Sequence, residues 1–219
     1  MTHKIQLQRN PSLGVPMKKM NIAIMLLLAV CGCQNGQQYE PVNGDIIFHT
    51  SQSGQSVAIQ KATQSRYSHM GIVYLRDQQA YVFEAVEPVK STLLRDWIGR
   101  GVGGHFVVKR LHNASEVLTS DTLDRMLEVG EAFKGKHYDL YFEWSDDRIY
   151  CSELVWKVYK RALDLEIGDL QTISEFDLSD PAIKAKVQER WGGPPPADET
   201  VISPAAMFNS EVLRTVFER

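Results

Sequence analysis

The amino-acid sequence predicts a single α+β domain. Residues that favour β-strands cluster between positions 46 and 111, whereas the spacing of amphipathic helices dominates from position 119 onward. Of the 219 residues, 43% are hydrophobic and 23% are charged, which supplies enough apolar material for one core and argues against disorder. Strands gathered early in the chain, with helices around them, are typical of an α+β fold.

Local patterns place the elements in chain order. The predicted elements are a strand at 46–50, a short helix around 57–62, a hairpin of 70–75 and 80–85, a short helix at 93–98, a strand at 105–111, and helices at 119–133, 150–163 and 180–191. Thr119 or Ser120 caps the first long helix, and Pro181 is well tolerated in the first turn of the last one. No second hydrophobic core follows the stiff loop at 192–196, so we expect the C-terminal segment to pack on the same domain.

Residues 1–32 have the organisation of a secretory signal. Lys18 and Lys19 precede an apolar run at 22–31, which is shorter than the roughly 20 residues needed to cross a bilayer. Residues 1–16 are interpreted as an upstream extension, with the natural start at Met17 or Met20.

The end of this segment, 30–33, resembles a bacterial lipobox, in which a cysteine is acylated and becomes the new N-terminus. Cys33 is the predicted lipidation site, and Cys31 is a poorer candidate because Val30 is bulkier than the residue expected before the cleavage point. A cleaved signal without a lipid is the alternative. Residues 33–43 then form a tether and residues 44–219 the domain. Gln34 after the acylated cysteine favours the outer membrane, with the domain facing the periplasm.

The charge of the chain argues against nucleic acid as a partner. There are 24 Lys and Arg residues against 27 Asp and Glu, a formal net charge of −3, and residues 1–32 contain basic but no acidic residues. The exported chain would therefore be more acidic still, whereas nucleic-acid-binding proteins carry a basic excess. Metal-binding spacings such as His-Glu-x-x-His and phosphate-binding glycine loops are also missing from the sequence, so no metal or cofactor is predicted.

Cys151 is the cysteine that would remain as a thiol after export. Because disulfides usually form in that compartment, a lone thiol is a candidate nucleophile, the alternative being an inert buried cysteine. Leu154, Val155 and Val158 follow at helical spacing, which puts Cys151 in a first turn, where the helix dipole favours the thiolate. Glu153 in the same turn opposes this effect, so a protonated histidine beside the sulfur is required.

His69 is the favoured histidine, because it lies where a loop enters the hairpin. With a two-residue turn at 76–77, His69 would lie directly opposite Glu84. A four-residue loop would make the two residues diagonal neighbours on one face, and a loop of odd length would place them on opposite faces. Glu84 interrupts an apolar strand, where a charge without a partner is costly. His49 and His105, at strand ends, remain open as alternatives.

Four segments together, at 44–48, 67–71, 83–85 and 150–155, resemble the YiiX/YaeF family of permuted papain-like cysteine hydrolases, relatives of NlpC-type cell-wall peptidases. The resemblance extends across the whole chain that follows the signal. It implies a permuted papain-like, NlpC-like fold, with an antiparallel sheet and the nucleophile at the N-terminus of a packed helix. It also implies that Cys151 is the nucleophile, His69 the base and Glu84 the residue that orients the histidine.

The activity that the resemblance implies is cleavage of amide bonds through an acyl-enzyme, in a cell-wall peptide or a lipid-linked amide. An acyltransferase or thioesterase with the same triad, and a non-catalytic binding lipoprotein, are the alternatives. The sequence gives no prediction of oligomeric state.

Three further residues are candidates for the oxyanion or substrate site. Besides the Cys151 backbone N–H, the Tyr150 hydroxyl is a candidate oxyanion donor, although Tyr150 could equally be a core aromatic residue. Tyr67 is a weaker candidate for lining the substrate site. Asp45 could bind a substrate ammonium group, but shaping the turn into the first strand is the favoured role.

Overall fold

The computed structural model describes residues 38–219, and its centre is a mixed arrangement of helices around an antiparallel sheet. The strands are β1 (Asp45–His49), β2 (His69–Arg76), β3 (Gln79–Glu84), β4 (Lys90–Leu93), β5 (Val107–Leu111), β6 (His137–Tyr138), β7 (Arg148–Ile149), β8 (Gln171–Thr172), β9 (Thr200–Val201) and β10 (Leu213–Glu218). The helices are α1 (Ser56–Thr63), α2 (Leu94–Gly99), α3 (Ala114–Val117), α4 (Ser120–Glu131), α5 (Cys151–Leu163), α6 (Pro181–Trp191) and α7 (Pro204–Phe208). The predicted signal, the start site, lipidation at Cys33 and the first part of the tether lie outside the described residues.

Six strands form the main sheet in the order β10-β5-β1-β2-β3-β4, and every neighbouring pair is antiparallel. Two short pairings lie outside it, a parallel one between β6 and β7 and an antiparallel one between β8 and β9. The predicted α+β class with an antiparallel sheet is therefore confirmed. Within residues 38–219, none of the helices combines the length and the apolar character that crossing a bilayer requires.

Successive side chains of a strand point to opposite faces of the sheet, so the hydrophobic core has one cluster on each face. Ile46 and Phe48 of β1 belong to the larger cluster, which includes the apolar stripe of α5, while Ile47 points to a smaller cluster around Trp97 of α2. Helix α5 crosses the first face and is buried along most of its length, and α4 packs against it. The N-terminus of α5 is thereby held against the fold, which fixes the position of Cys151.

The turn between β2 and β3 differs from the prediction in its position, although its length of two residues is as predicted. The turn residues are Asp77 and Gln78, with φ angles of 51° and 61°, and Arg76 pairs with Gln79. This left-handed conformation at both central residues matches the twist of a tight hairpin. The pairing of the two strands is therefore shifted by two residues from the expected one, and both strands keep the expected faces.

The C-terminal segment packs on the same domain, as predicted, but it does so as a strand. β10 pairs with β5 and forms one edge of the sheet, and Phe217 contacts the cluster around Trp97. Tyr39, in the segment predicted as a tether, packs against Phe106 and Phe217 at ring-centroid distances of 6.1 and 5.6 Å. Part of that segment is thus attached to the domain.

Candidate active site

Cys151 is the first residue of α5 and is 2% exposed. Tyr150, at the N-cap, has an extended backbone, and the Glu153 side chain accepts a bond from the Tyr150 N–H at 3.4 Å, which completes a capping box. Ser152 donates to the carbonyl of Ile202 at 2.7 Å and fixes the other side of the first turn. The thiol therefore lies at the positive end of a well-anchored helix.

Glu153 opposes the thiolate less than the sequence suggested. Its side chain is fully buried, and Lys157 Nζ lies 2.7 Å from Glu153 Oε1, although not in hydrogen-bond geometry. Burial raises the pKa of Glu153 to about 8, against the opposing effect of Lys157. The carboxyl group is consequently either neutral or balanced by a lysine, and adds little negative charge beside the sulfur.

His69, the first residue of β2, lies between the thiol and Glu84. Its Nε2 is 2.6 Å from Glu84 Oε2, and the Cys151 side chain lies beside its ring. Burial alone would lower the pKa of His69, but the interactions with Cys151 and Glu84 outweigh it and raise the pKa to about 9. The imidazole is therefore held as a cation next to the sulfur at neutral pH.

Glu84, the last residue of β3, is fully buried and has partners for both of its carboxylate oxygens. Oε2 bonds to His69, while Oε1 accepts from Thr92 Oγ1 at 2.6 Å and from Arg100 Nη2. Burial by itself would raise the pKa of Glu84, but the bonds from His69 and Thr92 and the charge of Arg100 lower it to about 2. The residue is thus ionised and held in one orientation.

The observed hairpin register makes His69 and Glu84 diagonal neighbours on one face of the sheet instead of directly opposed residues. Continued from the pair Ile72 and Phe83, the register places Gly71 opposite Glu84. A Cβ atom at Gly71 would lie 2.7 Å from the Phe83 carbonyl oxygen and 3.3 Å from Glu84 Cβ. The missing side chain lets the strands approach closely where the imidazole and the carboxylate meet.

His49 and His105, the two histidines left open by the sequence, have other positions. His49 stacks on Trp97 at 3.9 Å and lies 5.3 Å from the His69 ring. Burial, followed by the charges of His69 and Arg100, lowers the pKa of His49 to about 3, so this ring stays neutral beside His69. His105 lies 3.8 Å from Glu218, and its ring stacks on Tyr67 at 6.3 Å.

The other residues proposed from the sequence have partners of their own. The Tyr150 hydroxyl accepts from the Ile202 N–H at 3.1 Å, and its ring packs edge-on against Phe142. Tyr67 stacks on Phe208 at 4.3 Å and lines neither of the two cavities beside Cys151 described below. Asp45 is paired with Arg110 and caps the turn before β1, which is its favoured role, so the structure does not bring Tyr67 and Asp45 to the nucleophile.

Sequence reasoning missed three residues near the thiol. Tyr138 in β6 pairs with Ile149, two residues before Cys151, and its side chain lies beside the thiol. Gln55 Nε2 donates to the Tyr138 hydroxyl at 2.9 Å, and Arg190 Nη2 donates to Gln55 Oε1 at 2.6 Å. Strands of two residues carry no detectable alternation, so no local signal could have found Tyr138.

Two cavities meet beside Cys151. The apolar cavity is lined by Cys151 together with Ala58, Ile59, Phe142, Ile183, Val187 and Trp191. The polar cleft is lined by His69 together with Gln52, Arg100, Lys186 and Glu189. Tyr138, Gln55, Lys186 and Arg190 line both. Cys151 therefore borders the apolar cavity, and His69 borders the polar cleft.

A cysteine at the start of a helix, with its histidine and carboxylate on an antiparallel sheet that precedes it in the chain, is the papain-like arrangement in permuted order. The chain belongs to a family of such enzymes: the profile described as "Permuted papain-like amidase enzyme, YaeF/YiiX, C92 family" matches residues 40–217. The resemblance seen in the sequence is thereby confirmed, and the class of enzyme in this family is a cysteine amidase or peptidase.

Two relatives from Escherichia coli support this assignment. The chain is 45% identical over 192 residues to "Uncharacterized protein YiiX" of strain K12, covering 88% of this chain and 94% of that protein. A solved structure described as "Crystal structure of metalloprotein yiiX from Escherichia coli O157:H7" matches with a TM-score of 0.79 and 47% identity, over 83% of this chain and 99% of the other. In the part of the present chain that the structure describes, no group of three or more His, Cys, Asp or Glu side chains is arranged to hold a metal ion.

Proposed function

We propose that the protein hydrolyses amide bonds with Cys151 as nucleophile, His69 as acid and base, and Glu84 as the residue that orients and charges the imidazole. The observation that carries the proposal is that Cys151, at the start of α5, lies beside His69, whose Nε2 is hydrogen-bonded to Glu84. Glu84 is ionised, so it favours the imidazolium, and the imidazolium in turn favours the thiolate.

The reaction proceeds in two halves. The Cys151 thiolate attacks the amide carbonyl carbon, a C–S bond forms, and the oxygen becomes an anion. The Cys151 backbone N–H and the Tyr138 hydroxyl are the proposed donors to this oxyanion, since burial and the charge of Cys151 raise the pKa of Tyr138 and keep its proton in place. His69 gives its proton to the nitrogen as the C–N bond breaks and the amine leaves. The neutral His69 then takes a proton from water, whose oxygen attacks the thioester carbonyl; the C–S bond breaks, the acid is released, and the thiolate–imidazolium pair is restored.

The apolar cavity favours a lipid-linked amide over a cell-wall peptide as the substrate. Its walls are mostly aliphatic and aromatic side chains, several of them from α1 and α6, and Cys151 is one of its lining residues. Burial of each methylene group of an acyl chain contributes about 0.8 kcal/mol of binding free energy. We therefore infer that the acyl half of the amide carries an apolar chain that occupies this cavity.

The proposed location is the bacterial cell envelope, with Cys33 acylated and the domain on the periplasmic face of the outer membrane. The signal-like segment at 1–32 and its lipobox-like end support this. Metabolic labelling with an alkyne fatty acid tests it: the wild-type protein should be labelled, and Cys33→Ser should not.

Substitution of the nucleophile tests the activity. Cys151→Ala should abolish hydrolysis of octanoyl p-nitroanilide while changing the free energy of unfolding by no more than about 1–2 kcal/mol, because one small atom is removed. Wild-type enzyme should cleave the octanoyl compound roughly tenfold or more faster than the acetyl compound, measured as kcat/KM. His105→Ala is the matched histidine control and should retain activity. Activity in Cys151→Ala would refute the nucleophile, and equal rates for the two acyl groups would refute the role of the apolar cavity.

The wild-type protein also distinguishes the proposed hydrolase from an acyltransferase and from a non-catalytic binding protein. An acyltransferase would pass the octanoyl group to an added amine faster than to water. A non-catalytic binding protein would leave Cys151 unreactive, whereas the proposed thiolate should react with iodoacetamide well below pH 8.

A further inference from the structure

Arg190 is a half-buried cation without an acidic partner. Within residues 38–219 no carboxylate lies within 4.0 Å of its guanidinium nitrogens, and its one side-chain hydrogen bond goes to the neutral Gln55. Its guanidinium also lies 5.4 Å from the centre of the Phe142 ring. Arg100, Arg110 and Arg161, by contrast, each pair with a carboxylate.

The guanidinium of Arg190 has more N–H donors than the described residues provide acceptors for. A guanidinium has five N–H donors in a fork that fits a carboxylate or a phosphate, and Gln55 accepts from one of its nitrogens. Burial lowers the pKa of Arg190 and outweighs the opposing charges of Glu189 and Asp139, neither of which forms an ion pair with the guanidinium. The neighbouring Lys186 does not share this situation, because its Nζ lies 2.6 Å from Glu189.

The position of Arg190 connects it with the reacting group. It lines both the apolar cavity and the polar cleft, and it is joined through Gln55 to the hydroxyl of Tyr138, which lines the apolar cavity together with Cys151. When the acyl chain occupies the apolar cavity, the amine half of the substrate lies on the side of His69, which protonates it, and so in the polar cleft.

We propose that Arg190 binds a carboxylate or phosphate carried by the amine half of the substrate. The protein is then an amidase for N-acyl amines with an anionic group close to the scissile nitrogen, such as N-acyl amino acids or N-acyl amines that bear a phosphate. This inference rests on the proposed function for the orientation of the substrate. Its competitor is a structural role, in which Arg190 only holds Gln55 in place.

Binding to the Cys151→Ala protein tests the proposal without turnover. Calorimetry with N-octanoylglycine, N-octanoylglycinamide and N-octanoyl-O-phosphoethanolamine compares a carboxylate, a neutral amide and a phosphate. We expect at least one anionic compound to bind about tenfold or more tightly than the glycinamide, a gain typical of a charge-assisted bidentate bond. The tighter of the two anions identifies the source of the charge.

Second substitutions show whether Arg190 is responsible. In the same Cys151→Ala background, Arg190→Gln should remove the preference and leave glycinamide binding unchanged, and Arg190→Lys should keep part of it. Lys184→Gln, which removes an exposed charge from the same helix, should keep all of it. Circular dichroism verifies that each variant is folded.

Other results overturn the proposal. Equal affinity for the charged and neutral compounds, or no measurable binding of any of them, would show that the cleft does not recognise an anion. An equal loss of affinity for all three in Arg190→Gln would assign Arg190 to holding Gln55. If the preference is found but the wild-type enzyme hydrolyses none of the three, the proposed function fails while the anion site stands.

Discussion

Cys151 and Glu84 both raise the pKa of His69, and the contribution of the carboxylate gives a prediction about pH. The raised pKa of His69, about 9, means that the imidazolium needed to protonate the leaving amine is lost as the pH rises through that value. Glu84→Gln keeps the shape of the side chain but removes its charge, so the pKa of His69 should fall. We expect the alkaline limb of kcat/KM, near pH 9 in the wild type, to move down by roughly one unit or more. Since the thiol and the imidazole titrate as a pair, the limb reports their combined behaviour.

Glu218→Gln is the matched control for this experiment. It also removes a carboxylate near a histidine, but its partner His105 is 3.8 Å away and outside the proposed site. Its pH profile should match that of the wild type. An unshifted alkaline limb in Glu84→Gln would show that Glu84 does not set the charge of His69.

At the scale of single residues, chemistry made part of the candidate site predictable. Cys151 was found because it is the cysteine left after the signal, and Glu84 because a charge in an apolar strand needs a partner. Thr92 and Arg100, which bond to the second oxygen of Glu84, were not found. They come from β4 and from the residue after α2, and nothing in their local sequence indicates which carboxylate they reach. The catalytic roles themselves stay predictions.

At the scale of elements, the close approach of β2 and β3 predicts that a side chain at position 71 lowers both stability and activity. Gly71→Ala would place a methyl group 2.7 Å from the Phe83 carbonyl, so the strands must separate where His69 meets Glu84. We expect a loss of about 1–3 kcal/mol in the free energy of unfolding, measured in urea, together with a lower kcat. Gly193→Ala, where no atom lies within 4 Å of the new methyl group, should change neither quantity. A fully active, equally stable Gly71→Ala protein would contradict this account of the hairpin.

In the β2–β3 hairpin, the faces of the strands were predicted correctly although the position of the turn was not. The predicted turn was one residue too early, at 76–77 instead of 77–78, and each strand pair is shifted by two residues as a result. The shift is an even number, so His69 and Glu84 kept a common face and remained within bonding distance. The face to which a side chain points follows from local alternation along the strand, so the sequence predicts it. The position of the turn does not, because polar residues at 76–77 or at 77–78 could adopt the left-handed φ angles of a tight turn.

At the scale of the whole molecule, the last strand should be part of the cooperative fold. Leu213 of β10 is 5% exposed and belongs to the larger core cluster, although it lies six residues before Arg219. Leu213→Ala should lower the free energy of unfolding by about 2–5 kcal/mol in a single urea transition. Leu170→Ala, at a position that is 40% exposed, should change it by no more than about 0.5 kcal/mol. Equal effects of the two substitutions would show that β10 frays independently of the core.

The two cavities are also properties of the whole molecule. The apolar cavity forms because α1 and α6, which lie more than a hundred residues apart in the sequence, pack together beside the start of α5. Arg190 and Gln55 meet at this junction across a separation of 135 residues. The proposed substrate class therefore depends on an arrangement that the sequence pattern does not contain.

The sequence by itself determined the α+β class, the family and the helix that carries Cys151, and it favoured a common face for His69 and Glu84. Each of these follows from local composition, from spacing, or from motifs read in order. Only the tertiary structure decided the hairpin register, the edge strand β10, and the meeting of Tyr138, Gln55 and Arg190 beside the thiol. These features arise from contacts between distant segments, whose choice of partner is set by the packing of the whole core and not by the propensity of any one segment.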